Sequence, residues 1–288
     1  MNALPKMVGL IGYPLGHTLS PQMHEAAFIK LNLNFRYSAF EVPPQKLSAA
    51  IQGIRALNFI GINITVPHKE SVMEFIDEFD ERAKKIGAVN TILNNKGKLI
   101  GYNTDAPGFL HSLRDEGGFI PRGKKAVICG AGGAARSIAS SLASAGITRL
   151  VITDIDKRAA KILSRHIKKH FDCEVAVYES GEDRALFRAI QESDLLVNAT
   201  PVGLKPGETI PILLKSLHKK LFVYDVIYAD TRLIKAARKK GLQSLNGIGM
   251  LVGQGAEAFK IWTNQDAPVE IMRRAVEDNL KTRFKKKN

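Results

Sequence analysis

The chain has 288 residues, of which 45% are hydrophobic and 24% are charged, and its formal net charge is +14. This length exceeds the size at which one hydrophobic core usually keeps growing, so we predict two domains of ordinary globular composition. No apolar run approaches the roughly 20 residues of a membrane-spanning helix, and the N-terminus lacks the pattern of a secretory signal, so we predict no membrane partner and a cytoplasmic location.

The first part of the chain alternates strand-like and helix-like segments up to about residue 105. Apolar, β-rich runs predict strands in VGLIGY, FRYSAFEV and FIGINITV, and helical periodicity predicts helices in PQMHEAAFIKLN and LSAAIQGIRALN. Strands that alternate with helices favour a mainly parallel sheet. We therefore predict an N-terminal α/β substrate domain, formed by residues 1–105 together with residues 253–288.

From PRGKK onward the pattern becomes that of a doubly wound nucleotide-binding fold. The β-rich runs KAVIC, RLVIT, EVAVY, DLLVNAT and LFVYDVIY are separated by helical stretches. Residues 106–252 are therefore predicted to form a Rossmann-like dinucleotide-binding domain. The last segments, GMLVGQGAEAFKIW and PVEIMRRAVEDNL, have helical periodicity and no strand after them, and we expect them to pack on the first domain.

Positive charge and cysteine content indicate little about function. The basic residues are scattered over several helical segments and a terminal run, KTRFKKKN, whose end we expect to fray. A dense basic face would attract phosphate, but no zinc-ligand spacing or aromatic RNA-binding motif lies nearby, so we predict no metal site and no nucleic acid partner. Nucleic-acid binding remains a third function hypothesis. The two cysteines, Cys129 and Cys173, do not indicate a disulfide framework.

The strand-like run KAVIC leads into a glycine-rich turn that opens a helix of small residues. Gly130, Gly132 and Ala135 form the pattern G-x-G-x-x-A, in which the glycines permit a tight turn and close approach of a pyrophosphate, and the alanine keeps the helix near the strand. A dinucleotide would lie at the helix N-terminus. The predicted contacts are Gly130, Ala131, Gly132, Gly133 and Ala134. The alternative is an ordinary tight turn between a strand and a helix.

Asp154 ends the next strand-like run, about twenty residues after the glycine loop, where an acid would accept hydrogen bonds from the adenosine ribose. A carboxylate there would repel a 2′-phosphate, so the sequence favours NAD over NADP. Lys157 and Arg158 could instead curl back toward such a phosphate, and the cofactor therefore stays open as NAD or NADP. The alternative interpretation is a helix-capping or solvated aspartate.

Polar residues gather at the ends of apolar runs in the first domain, namely Thr18, Ser20, Asn63, Thr65, Asn90 and Asp105. In an open α/β sheet such ends face the binding crevice, so these groups can converge on one polyhydroxylated ligand. Lys69 joins them, because Pro67 ends the run GINITV and turns the chain out of the sheet. Each residue taken alone has an ordinary alternative as a turn, helix-cap or surface residue.

The chain resembles the shikimate dehydrogenases, enzymes of aromatic biosynthesis that reduce 3-dehydroshikimate, from about residue 8 to about residue 272. The resemblance is carried, in the family's order, by the blocks YPLGHTLSPQMHEAAF, NITVPHKE, GAVNTI, GYNTDAPGF, GAGGAAR, NATPVG, DVIY and NGIGMLVGQGAEAFKIWTN. Such ordered agreement is highly specific.

The resemblance implies a role for each matching position. Lys69 and Asp105 match the catalytic pair, and Thr18 and Ser20 match the serine pair that binds the substrate carboxylate. The other matching substrate contacts are Thr65, Asn90 and Gln254 for hydroxyl groups and Tyr228 near the carboxylate. The positions that match the surroundings of the nicotinamide are Asn198, Thr200, Ile227, Gly247 and Met250, and Arg158 aligns near the adenosine end.

The sequence departs from the family pattern in three places. NADP-using relatives commonly carry Asn-Arg-Thr where this chain has Thr153, Asp154 and Ile155, which favours NAD or the use of both cofactors. Thr18 replaces a serine, which leaves the fit of quinate open. The segment after Tyr228, ADTRLIKAARKKG, is expected to be a shorter loop than in the family, so the geometry near the nicotinamide stays open.

The leading hypothesis is therefore a dehydrogenase for 3-dehydroshikimate and shikimate, in which Lys69 protonates the ketone oxygen. The runner-up is an NAD-dependent quinate/shikimate dehydrogenase. A binding protein of the same fold without catalysis is the hypothesis from a different class. The predicted partner is a small-molecule substrate, and the chain is expected to be a monomer or a homodimer.

Overall fold

The computed structural model of the chain describes residues 4–16, 18–179, 183–203, 208, 212 and 214–285. The chain divides into two compact units. The first comprises Met1–Gly108 and Leu251–Asn288, and the second comprises Phe109–Met250. Within the described ranges, no helix has the length and apolar character that a membrane crossing requires.

The first unit is built on a mixed sheet. Its strands are β1 (Lys6–Gly12), β2 (Phe35–Glu41), β3 (Gly61–Ile64), β4 (Glu78–Phe79), β5 (Thr91–Asn95) and β6 (Lys98–Tyr102), in the spatial order β2-β1-β3-β5-β6-β4. β1 is parallel to β2 and β3, whereas β5 is antiparallel to both of its neighbours. The sheet is thus mainly parallel as predicted, with β5 as an antiparallel strand that the sequence analysis did not identify.

The β5–β6 hairpin brings two polar segments together. Lys96 and Gly97 both have positive φ angles, 53° and 91°, which a tight two-residue hairpin turn requires. At the open end of the hairpin Thr91 pairs with Tyr102. The residues just outside this pair, Asn90 on one side and the segment 103–105 on the other, are therefore held beside each other.

Helices cover both faces of the first sheet. The bounds in this unit are α1 (Ser20–Lys30), α2 (Leu47–Ala56), α3 (Glu81–Ile86), α4 (Asp105–His111), α9 (Ile248–Thr263) and α10 (Val269–Lys285), of which α4 and α9 cross the boundary to the second unit. Phe28 of α1 lies 5.1 Å from the ring of Phe35 and 5.4 Å from that of Phe259, which joins α1 to β2 and α9. The basic tail continues α10 through Lys285, and 286–288, where fraying was expected, lie outside the described residues.

The second unit is a parallel sheet between two layers of helices. Its strands are β7 (Lys125–Cys129), β8 (Arg149–Asp154), β9 (Glu174–Glu179), β10 (Leu195–Asn198), β11 (Phe222–Asp225) and β12 (Ser244–Leu245), in the order β12-β11-β10-β7-β8-β9. Along β7, Ala126 and Ile128 belong to one apolar cluster and Val127 and Cys129 to another. Because successive side chains of a strand point to opposite faces, the sheet is buried on both sides, as in a doubly wound fold.

Two of the four helices described in the second unit begin at residues whose side chains cap them. Their bounds are α5 (Gly133–Ser144), α6 (Lys157–His170), α7 (Asp183–Gln191) and α8 (Arg232–Lys239). Asp156 caps α6 by accepting from Arg158 N at 2.8 Å, and the Thr231 hydroxyl caps α8 by accepting from Ile234 N at 3.3 Å. The segment ADTRLIKAARKKG, expected as a loop, is therefore mainly helix α8, because Thr231 starts a helix there.

Gly61 on β3 provides a test of this packing. A Cβ at Gly61 would collide with the indole of Trp262 and with Ile92 O, which share a hydrogen bond of 3.0 Å. Gly61→Ala should therefore lower the free energy of unfolding by about 2 kcal/mol. Gly53→Ala in α2 is the control, because its Cβ meets nothing within 4 Å, and it should stabilise by about 0.5–1 kcal/mol. Urea denaturation measures both, and equal stability of the two variants would contradict this packing.

Candidate active site

Lys69 is turned into the interior by the segment that follows β3. The His68 N–H donates to Thr65 O at 2.9 Å, and Lys69 O accepts from Val89 N at 2.8 Å, so the turn is bonded on both sides. His68 Nε2 lies 2.7 Å from Val42 O. The Lys69 side chain is 11% exposed. Lys69 is therefore a buried lysine, and the surface alternative weighed from the sequence does not apply.

Asp105 begins α4 and faces Lys69. Asn103 fixes this helix start, because its Oδ1 accepts from Ala106 N at 3.1 Å and its Nδ2 donates to Ala88 O at 2.9 Å. Lys69 Nζ donates to Asp105 Oδ2 at 2.6 Å, and the Asp105 side chain is 7% exposed. Removal of either partner would leave an uncompensated buried charge, which in proteins commonly costs about 3–5 kcal/mol.

Asn90 holds the second carboxylate oxygen. Its Nδ2 donates to Asp105 Oδ1 at 2.9 Å, and its Oδ1 accepts from the backbone N–H of Thr104 at 2.7 Å. Since that N–H can only donate, the orientation of the Asn90 amide is determined by the structure. The carboxylate thus receives one hydrogen bond on each oxygen, while the Lys69 ammonium, which has three donors, can also bind a ligand oxygen.

Thr18 and Ser20 lie together at the N-terminus of α1. Ser20 N donates to Thr18 Oγ1 at 3.2 Å. His17, which belongs to the same motif, lies outside the described residues. The α1 terminus therefore presents two neighbouring hydroxyl groups.

The remaining predicted contacts of the first unit differ in their placement. Thr65 is half-buried at the start of the turn that carries Lys69. Gln254 is half-buried on α9, and its Nε2 donates to Leu251 O at 2.8 Å, so the amide is folded back on its own helix. The structure thus brings Lys69 and Asn90 into direct contact with Asp105, whereas Gln254 is bonded to the backbone of its own helix.

Two buried aromatic side chains beneath Ser20 are uncharged at neutral pH. His24 is fully buried, with its ring stacked 4.6 Å from that of Tyr37. Desolvation lowers the pKa of His24 to about 3, and desolvation also raises the pKa of Tyr37 above its ordinary value. These two side chains therefore contribute no charge beside the hydroxyl pair.

The glycine loop of the second unit fits a dinucleotide phosphate. Gly130 has a φ angle of 112°, and a Cβ on it would lie 2.8 Å from Ala199 O, so this position requires glycine. Its N–H donates to Thr153 O at 2.7 Å. α5 then begins at Gly133 after Gly132, which has no side chain to cap the helix. The first N–H groups of α5 are therefore suited to bind an anion.

Asp154 is bonded to the glycine loop itself. Its Oδ2 accepts from Ala131 N at 2.6 Å, and its Oδ1 accepts from Asp156 N at 2.8 Å. The sequence analysis did not predict these contacts, and the bond to a ribose remains a prediction. Lys157 and Arg158 are exposed at the start of α6. The carboxylate thus shapes the loop and places a negative charge beside it.

Asp225, which the sequence analysis left without a role, joins two further loops. Its Oδ1 accepts from Asn198 Nδ2 at 3.0 Å and from Ile227 N at 3.1 Å, and its Oδ2 accepts from the Thr231 hydroxyl at 2.7 Å. Asn198 Oδ1 in turn accepts from the Thr200 hydroxyl at 2.6 Å. The sequence feature that could have indicated this role is an acid at the end of the apolar strand FVYD.

The other predicted cofactor contacts surround this network. Gly247 N donates to Ile227 O at 3.0 Å, and a Cβ on Gly247 would collide with the backbone of Val226, so this position also requires glycine. Met250 is buried in the apolar cluster of the second unit, and Tyr228 is half-buried. The structure thus brings Thr200, Ile227 and Gly247 into one bonded group around Asp225 and Asn198.

Family models and curated relatives that match this chain are shikimate dehydrogenases. The shikimate dehydrogenase substrate-binding domain matches residues 10–92, and the shikimate 5′-dehydrogenase C-terminal domain matches residues 247–277. A shikimate dehydrogenase (NADP(+)) of Methanopyrus kandleri is 46% identical over 286 residues, which are 98% of each chain.

Solved structures lead to the same family and confirm the predicted α/β fold class. A shikimate 5-dehydrogenase from Listeria monocytogenes, in complex with shikimate and NAD, is 38% identical with a TM-score of 0.87, over 94% of this chain and 96% of that one. A quinate dehydrogenase from Corynebacterium glutamicum, in complex with NAD, is 30% identical with a TM-score of 0.87, over 96% of this chain and 100% of that one.

The buried carboxyl of Asp225 predicts a pH dependence of stability. Desolvation raises the pKa of Asp225, so the folded protein binds this proton more tightly than the unfolded chain does. Its contribution to stability is therefore fully present below the ordinary pKa and is lost as pH rises through the folded-state pKa. Because Asp225→Asn does not titrate, its stability relative to the parent should improve from about pH 4 to about pH 7.

Urea denaturation at several pH values measures this difference. Asp172→Asn removes one negative charge at an exposed position and serves as the control. A relative stability of Asp225→Asn that falls with rising pH, or that follows the control, would contradict the assignment.

Proposed function

The chain belongs to the shikimate dehydrogenase family, and we propose that Lys69 and Asp105 are the catalytic pair with which it interconverts 3-dehydroshikimate and shikimate. It is an NAD(P)-dependent oxidoreductase that acts on a CH–OH group. The observation that carries the catalytic proposal is the buried contact of 2.6 Å between Lys69 Nζ and Asp105 Oδ2. A buried charged pair whose ammonium group can still donate to a ligand is typical of functional sites.

The two side chains supply the proton chemistry of the reaction. When bound, the nicotinamide dinucleotide supplies a hydride for reduction of the ketone, or accepts one in the reverse direction. Lys69 donates a hydrogen bond to the ketone oxygen, stabilises the negative charge that develops there, and delivers the proton. Asp105 accepts from Lys69 and so fixes the direction of the ammonium group. Asn90 fixes the carboxylate in turn.

The neighbouring groups are suited to hold the substrate. The hydroxyls of Thr18 and Ser20, at the N-terminus of α1, are proposed to bind the substrate carboxylate, since donors at a helix N-terminus favour an anion. The proposed contacts to substrate hydroxyls and carboxylate are Thr65, Asn90, Gln254 and Tyr228. Gln254 must release Leu251 O to make this contact.

The glycine loop and the α5 N-terminus are proposed to hold the cofactor pyrophosphate, and the loops tied by Asp225 to lie at the nicotinamide end. This proposal is supported by Gly130 and Gly247, because the neighbouring backbone leaves no room for a side chain at either position. The Methanopyrus relative is named for NADP(+), whereas the Listeria and Corynebacterium structures contain NAD. The carboxylate of Asp154 beside the loop supports a preference for NAD here, because it would repel a 2′-phosphate.

Quinate is the second substrate to consider, because the Corynebacterium relative is a quinate dehydrogenase. Thr18 carries a methyl group beside the proposed carboxylate site, which changes the space available to the additional hydroxyl of quinate. A binding protein without catalysis is disfavoured, since a buried ammonium and carboxylate cost desolvation free energy that binding alone does not require.

Lys69→Ala tests the catalytic proposal. Because the variant lacks the proton donor, kcat for shikimate oxidation should fall by at least about a thousandfold, while Kd for shikimate changes less than about tenfold. Lys98→Ala is the control, because Lys98 pairs with Glu78 at the same distance of 2.6 Å but with both side chains 53% exposed. Steady-state kinetics with shikimate and quinate, and binding by calorimetry, measure the effects. Parental turnover by Lys69→Ala would refute the assignment.

Asp154→Asn tests the proposed cofactor preference. Removal of the negative charge beside the loop should raise the ratio of kcat/KM for NADP to kcat/KM for NAD by roughly tenfold. The ratio is informative because a general disturbance of the loop affects both cofactors. Asp194→Asn, at the amino edge of the same sheet, removes the same charge and should leave the ratio unchanged. A parent enzyme that strongly prefers NADP would overturn the preference for NAD.

A further inference from the structure

Buried polar side chains continue from Asp105 into the interior of the first unit. Thr91, Thr104 and Asn63 are 0%, 2% and 4% exposed. Thr91 Oγ1 lies 3.0 Å from Asn63 Nδ2 and 3.1 Å from Thr104 Oγ1. Thr104 Oγ1 lies 2.9 Å from Asn90 Nδ2, the group that also binds Asp105. A continuous set of hydrogen bonds therefore connects Asn63 with the catalytic carboxylate.

The orientation of the amide at each end of this set is fixed. At one end the Asn90 Oδ1 accepts from Thr104 N, so Nδ2 faces Asp105. At the other end Asn63 Nδ2 donates to the backbone carbonyl oxygen of Asn90 at 3.2 Å, and a carbonyl oxygen can only accept. Asn63 Nδ2 therefore also faces Thr91, and Asn63 Oδ1 accepts from the Tyr37 hydroxyl at 2.8 Å. The Thr91 hydroxyl accepts from Asn63 and is left to donate to Thr104 Oγ1, or to Asn90 Oδ1 at 3.4 Å. Thr91 thus connects the side-chain amides of Asn63 and Asn90.

The sheet register accounts for this arrangement. Asn63 of β3 pairs with Thr91 of β5, and Thr91 pairs with Tyr102 of β6. Directly paired residues carry their side chains on the same face about 4.5–5.5 Å apart, within reach of a hydrogen bond. Valine would fill the volume of Thr91 without burying a hydroxyl, and an unpaired buried hydroxyl is unfavourable. The hydroxyl at position 91 is therefore not required to fill space.

We propose that Thr91 is a positioning residue for the reaction. Its hydroxyl holds the Asn90 amide, and through it the Asp105 carboxylate, in the orientation that aligns Lys69. The proposal rests on the roles proposed above for Lys69 and Asp105.

Thr91→Val removes the hydroxyl at nearly constant volume. We expect kcat for shikimate oxidation to fall about tenfold, the size of one lost hydrogen bond of ordinary strength, with KM changed less than about twofold. Thr91→Ser retains the hydroxyl and should recover most of kcat. Thr263→Val is the matched control, because the Thr263 hydroxyl donates to Phe259 O at 2.8 Å within α9, and kcat should stay at the parental value.

A double-mutant cycle shows whether Thr91 acts through Asn90. In an Asn90→Ala background, Thr91→Val should lower kcat by less than about twofold, because the group that it positions is absent. The proposal is overturned by a parental kcat in Thr91→Val, by equal losses in both backgrounds, or by a Thr91→Ser variant as slow as Thr91→Val. Turnover by Lys69→Ala would instead refute the proposed function, so the two failures are distinguishable.

Discussion

The buried pair of Lys69 and Asp105 is the interaction on which the site depends, because neither charge is stable in the interior without the other. Lys69 lies 2.6 Å from Asp105, and both side chains are nearly excluded from solvent. Such a pair offsets its desolvation only with good geometry and further hydrogen bonds. The structure supplies these through Asn90 and the capped start of α4. The segments that carry Lys69, Asn90 and Asp105 are therefore all linked to this one ion pair.

The antiparallel hairpin is the element that makes this geometry possible. A parallel strand would require a crossover connection, whereas the turn at Lys96 and Gly97 returns the chain directly. The register then places Asn90 beside Thr104 and Asp105, while β3 delivers Lys69 from the other side. The groups proposed to be catalytic come from the ends of strands in one sheet, and the buried hydroxyls of Thr91 and Thr104 lie between them. The relative placement of Lys69 and Asp105 therefore depends on strand pairing in the centre of the sheet.

The sequence predicted the parts of the structure that local rules determine. Strand and helix periodicity, the glycine loop at Gly130 and the chain turn after Pro67 all follow from backbone preferences and patterning. The β5–β6 hairpin was missed, because TILNN and KLIGY are short and only partly apolar. Helix α8 differs from the loop expected after Tyr228, because the Thr231 side chain caps a helix start within that segment. The Thr91 network depends on pairing between distant strands, which no local pattern shows.

Three aspartates at similar places show why residue type and position alone do not determine a role. Asp105, Asp154 and Asp225 each lie at or beyond the end of an apolar run, so the sequence pattern treats them alike. Asp105 faces an ammonium group, which stabilises its charge. Asp154 accepts from the backbone of the glycine loop and from the backbone of Asp156, which caps α6, and so shapes a loop. Asp225 accepts from uncharged groups in a desolvated position, which raises its pKa. The partners supplied by tertiary structure, rather than the carboxyl group itself, therefore decide whether the residue performs chemistry, organises a loop or connects two of them.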